Sequence, residues 1–123
     1  MSYAEINAGS VEFGTIFAGT EIPALTTKVT IASGEGKLAK GAVLGVVTDG
    51  GKCRLVNGGS SDGSQVAKFV LAEDVDATSA DVVAVAWKTG IFRYDFLYVA
   101  EGDTVAAHAE ELRAVGIHYR DEY

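Results

Sequence analysis

A chain of 123 residues, 48% hydrophobic and 22% charged, is the right size and composition for one folded domain with its own core, which excludes wholesale disorder. Its formal net charge of -7 and its single cysteine argue against a phosphate-neutralising nucleic-acid surface and exclude an internal disulfide. Fifteen glycines against one proline suggest short strands joined by tight turns.

At the amino terminus, Met1 to Glu5 has neither a basic region nor an apolar core, so no signal peptide is expected. The longest strongly apolar run, Val82 to Trp87, falls far short of the ~20 residues a membrane-spanning helix needs. Both features suit a chain made in, and staying in, a cytoplasm-like compartment. Residues 1–23 read as an extended amino-terminal arm, and 24–123 as a single domain. The arm carries Val11, Phe13, Ile16 and Phe17, which are many apolar residues for a free tail. Such a segment usually has a partner, in its own domain or in another chain. Binding arm and first strand of the domain are both open readings.

Ala24 to Ala32 alternates Lys28, Thr30 and Ala32 with Val29 and Ile31, a strand pattern rich in β-branched residues. Ser33 to Gly36 is a turn. Gly34-Glu35-Gly36-Lys37 is not a phosphate loop, because Leu38 stands where that motif needs Ser or Thr. In Lys37 to Val47, Gly41 and Gly45 interrupt an apolar run and mark bends or close backbone approach. Thr48 to Gly51 contains Asp-Gly and Gly-Gly and predicts a hairpin. Lys52 to Val56 then returns as a strand with Cys53 and Leu55 on one face, so Cys53 is expected to be buried and inert.

Asn57 to Ser64 is a polar, glycine-rich loop without the alternating ligands and closing glutamate of a calcium loop. Val66 to Ala72 is the next strand. Glu73, Asp74, Asp76 and Asp81 form the densest acidic patch and read as a solvated connection rather than a cation site. Val82 to Trp87 is expected to be a strand facing apolar surroundings on both sides. Gly90 should bend the chain, after which the alternation of Phe92, Tyr94 and Phe96 predicts three rings on one face. Thr104 to Val115 predicts one helix, capped by Asp103 or Thr104 and ended by Gly116. His108 and His118 lack metal-site spacing and read as surface or edge residues. The tail from Ile117 to Tyr123 is amphipathic and could add an edge strand. No nucleophile, metal cluster or cofactor motif is apparent, so neither an enzyme nor a cofactor is expected.

Lys88-Thr89-Gly90-Ile91-Phe92-Arg93-Tyr94-Asp95, followed by Leu97, resembles the Lys-Ser-Gly-x-Phe-Arg-Tyr segment of phage-lambda-type head decoration proteins. Ser61 to Ala67, leading into Phe69-Val70-Leu71-Ala72, is similar to that family's Asp-Gly turn and following strand. Gly41 to Gly45 and Lys52 to Val56 occupy the places of its earlier strands, so the ordered resemblance runs from about Gly34 to Val99. It implies a mainly β (α+β) fold, with short strands in a β-barrel-like or β-tulip arrangement, one carboxy-terminal helix and an extended amino-terminal arm. The function implied is structural. Such proteins sit as homotrimers at local three-fold positions on the outside of an expanded capsid and stabilise the head against packaged DNA.

The partners implied are the major capsid protein and further copies of the chain, with no nucleic acid and no membrane. Val11, Phe13, Ile16 and Phe17 would then belong to a capsid-binding arm. Phe92, Arg93, Tyr94 and Asp95 are the candidates for the trimer contact. Against that stands the reading of Phe92 and Tyr94 as intramolecular core and of Arg93 as a surface charge. The arm is more apolar than the family's polar, proline-containing pattern, and the helix and tail extend past the resembling region. A cellular β-rich oligomeric binding or adaptor module is the alternative, with Trp87 or Tyr98 exposed on a concave face.

Overall fold

Strand β1 (Thr26–Ile31) is held extended by its β-branched residues and seeds the sheet. In a computed structural model that describes residues 23–120, it is followed by β2 (Gly36–Leu38), β3 (Val43–Val46), β4 (Cys53–Leu55), β5 (Ala67–Leu71), β6 (Val75–Ala77) and β7 (Val82–Trp87). Then come β8 (Gly90–Arg93), a 3-10 turn at Tyr94–Phe96, a second at Ala106–His108, helix α1 (Ala109–Ala114) and β9 (Ile117–Arg120). The expected arm, including Val11, Phe13, Ile16 and Phe17, lies outside the described residues.

Five strands close into a barrel in the order β1-β4-β3-β5-β7. All neighbours are antiparallel except β1 and β4, which close the barrel in parallel through Ile31 opposite Cys53. The predicted hairpin joins β3 to β4. Gly50 and Gly51 supply its positive φ values of 99° and 74°, and the Val47 amide bonds the Lys52 carbonyl at 2.8 Å to close it. Two small sheets sit outside the barrel: β2 with β6, antiparallel, and β8 with β9, parallel. The architecture is therefore the expected mainly β domain with one short carboxy-terminal helix.

The strand buried on both faces is not β7, as its composition suggested. Ala84 and Ala86 point into the barrel, whereas Val83 is 66% exposed and Val85 is half-buried. On the outer surface these two valines lie opposite Thr30 and Lys28 of β1, which is solvent-facing in an antiparallel pair with one wet side. The double-faced strands are β3 and β5. Leu44 and Leu71 enter the barrel interior, and Val43 and Val70 enter a second cluster formed with Leu112 and Ile117. Gly41 and Gly45 are close-approach positions, as expected. A Cβ on Gly41 would fall 2.2 Å from the Phe96 carbonyl oxygen, and one on Gly45 would fall 2.1 Å from that of Ser64.

The carboxy-terminal helix is shorter than its sequence pattern, because its first turn is 3-10. The Ala107 amide donates to Thr104 Oγ1 at 3.2 Å, and Gly116 ends the helix at a φ of 93°. Ile117–Arg120, the described part of the tail, forms a strand, β9, paired with β8. His108 corrects the sequence expectation: it is 3% exposed rather than on the surface.

Candidate functional site

The segment from Lys88 to Asp95 occupies the corner where the amino-terminal chain enters the domain. The Lys88 amide donates to the Leu25 carbonyl at 2.8 Å, and the Leu25 amide donates to Thr89 Oγ1 at 3.2 Å. That hydroxyl donates in turn to the Pro23 carbonyl at 2.6 Å. Pro23 and Leu25 are therefore held against this turn. Gly90, at a φ of 150°, redirects the chain into β8, whose pairing with β9 places Phe92 opposite Tyr119 and Arg93 opposite Arg120.

The three alternating rings do not share one face. The 3-10 turn at Tyr94–Phe96 breaks the two-residue period, so Phe92 and Phe96 stay inward while Tyr94 turns outward. Phe92 is 9% exposed and packs 5.1 Å from Trp87 and 6.0 Å from Phe96, ring centre to ring centre. Tyr94 instead packs on Tyr119 at 5.3 Å, at the surface. Arg93 and Asp95 are both largely exposed and pair at 3.1 Å. Of the four candidates, the structure thus brings Arg93, Tyr94 and Asp95 to one surface and places Phe92 beneath them.

The acidic patch is structural. Glu73 accepts the Val85 amide and Asp74 that of Lys40, both across neighbouring segments. Asp76 accepts the amide and hydroxyl of Thr78, and Asp81 accepts the Ser33 amide and pairs with Lys52. Within this patch lies β6, a strand that its acidic composition concealed. Arg54 bridges Glu35 and Asp62, tying the 57–64 loop to the β1–β2 turn.

Among the described residues no group of histidine, cysteine, aspartate or glutamate could hold a metal ion, and no helix is long and apolar enough to cross a membrane. Cys53 is buried, and burial pushes its thiol up to about 11, so it offers no thiolate at neutral pH. Trp87 and Tyr98 are half-buried. Trp87 is part of the aromatic cluster, and the Tyr98 hydroxyl both donates to the Ala39 carbonyl and accepts the Ala39 amide.

The described residues thus form a mainly β domain, a closed five-stranded barrel with an aromatic cluster on its flank. The chain belongs to the bacteriophage lambda head decoration protein D family, whose model matches residues 8–117. The match takes in the helix and reaches well into the amino-terminal segment, so it exceeds the stretch legible by motif. No curated protein matches the chain. The protein is a structural, non-enzymatic component of the phage capsid surface that decorates and stabilises the head. Capsid decoration replaces the cellular adaptor alternative.

Proposed function

We propose that the chain acts as a homotrimer at local three-fold positions on the outer face of an expanded head, where it clamps neighbouring copies of the major capsid protein. The family match carries this reading. Closed three-fold symmetry presents three identical attachments, and after the first engages, the others are effectively intramolecular, so weak individual contacts give high avidity. Residues 1–23 serve as the arm and 24–123 as the domain. Val11, Phe13, Ile16 and Phe17 bind the shell, with arm backbone added to an exposed capsid sheet edge. The hydrogen bonds that join Pro23 and Leu25 with Lys88 and Thr89 support this, since they give an arm a fixed root from which to pull.

Arg93, Tyr94 and Asp95 form the trimer contact, with Phe92 bracing the turn from inside. The chain is made in the host cytoplasm and acts on the virion. Light scattering should give a mass near three times 12.8 kDa, in solution or after binding to heads. Deletion of Met1 to Gly19 should abolish binding to expanded heads and leave the domain folded; full decoration by the truncated chain would refute the arm. An unchanged trimer in Arg93→Glu would remove Arg93 from the contact.

A further inference from the structure

His108 stands between two carboxylates. Its Nε2 lies 2.6 Å from Asp103 Oδ2, and its Nδ1 lies 2.5 Å from Glu111 Oε1. Neither carboxylate oxygen serves the histidine alone. Asp103 Oδ2 also accepts the Gly58 amide at 2.8 Å, and Glu111 Oε1 accepts the Ala67 amide at 2.8 Å. One imidazole therefore joins three places distant in sequence: the 57–59 loop, the first residue of β5, and the turn leading into α1.

An ionised carboxylate only accepts hydrogen bonds, so both contacts require an N–H on each ring nitrogen. A neutral imidazole has one. Its other nitrogen would then face a carboxylate lone pair to lone pair, at a site where the ring is 3% exposed and little water can intervene. We propose that Asp103, His108 and Glu111 form a proton-dependent latch, which holds α1 and β9 on the barrel while His108 is charged and loosens them when it is neutral.

Among the described residues, Asp103 and Glu111 are the charged partners of the ring. The 57–59 loop has no titratable side chain, and Lys68 of β5 is exposed on the face opposite buried Ala67. On α1, Glu110 and Arg113 are exposed and pair with each other. On β9, His118 and Arg120 alternate with Ile117 and Tyr119, which are the residues that enter the cluster beside α1. The groups facing the ring are thus Asp103 and Glu111. Burial by itself would lower the histidine, but hydrogen bonds and charge from these two carboxylates outweigh it and raise the ring above its ordinary 6.5. Because the folded-state value is raised, the latch contributes fully below pH 6.5 and is lost as pH rises through the folded value.

The test is an NMR titration of the imidazole resonances in the intact chain, with His118→Gln used to assign the two histidines, alongside thermal melting as a function of pH. His108 should titrate above 6.5, and the melting temperature should fall across that same titration. In Glu111→Gln, which keeps an oxygen for the Ala67 amide, the histidine should titrate lower and the pH dependence of melting should shrink. A His108 midpoint at or below 6.5 would overturn the latch, as would an unchanged melting profile in Glu111→Gln.

Discussion

The inside of the barrel and the packing on its flank are built from different materials. The buried residues of the interior are aliphatic and mostly small, Ile31, Leu38, Leu44 and Leu71 with Ala42, Ala77, Ala84, Ala86 and Cys53, and the rings of Phe69 and Tyr98 pack against them only partly buried. Small residues on β7 suit a five-stranded closure, whose narrow interior leaves little room for rings. The flank is aromatic, with Phe92 packed among Trp87, Phe96 and Tyr119 above Val43, Val70, Leu112 and Ile117. Ladder hydrogen bonds hold the barrel. The flank relies on side chains, on one parallel strand pair and on the His108 clamp. Stability in the barrel is thus tied to strand pairing over long sequence distances, while the flank, which carries the candidate assembly surface, is attached to it through β3 and β5.

If the two regions differ in this way, substitutions in each should leave different signatures. Phe92→Ala should cost about 3–5 kcal/mol, since it removes a buried ring with two aromatic neighbours. Hydrogen exchange should then quicken in β8 and β9 more than in β1 and β7. Leu44→Ala should cost about 2–5 kcal/mol and quicken exchange throughout, because the barrel supports everything else. If both variants loosened the molecule uniformly, barrel and flank would be one cooperative unit and the distinction would collapse.

Thr104→Ala sharpens the comparison on a smaller scale. Losing the hydroxyl that accepts the Ala107 amide should cost about 1 kcal/mol in chemical denaturation, with faster exchange confined to the helical segment. The smallest effect belongs to the barrel side. Hydrogen bonds from the Ser64 hydroxyl and amide, together with Arg54, hold Asp62 down at about 2. With its folded value depressed, this group contributes above its ordinary 3.8, and the contribution disappears as pH falls toward 2. Asp62→Asn should slightly flatten the acid limb of a melting profile over that interval. A steeper limb in the variant would contradict the assignment.

Local chemistry made much of the fold legible. Alternation located β1 and β4, Asp-Gly and Gly-Gly marked the β3–β4 hairpin, and Gly116 marked the end of the helix. The facing of Cys53 followed from the two-residue period, which puts Arg54 on the exposed face and Cys53 on the opposite, buried one. The ordered motifs also pointed to the family before any strand was placed. What sequence could not decide were features set by neighbours distant along the chain. β6 is a strand because β2 offers it a partner, although it lies in an acidic stretch between Glu73 and Asp81. β7 has a wet face because the barrel closes on only one of its sides, which apolar composition cannot reveal. Tyr94 turns away from Phe92 because a 3-10 turn resets the period, and His108 is buried because Asp103 and Glu111 converge on it in three dimensions. Local pattern records what a residue prefers; which preference prevails depends on the surface that the rest of the fold brings against it.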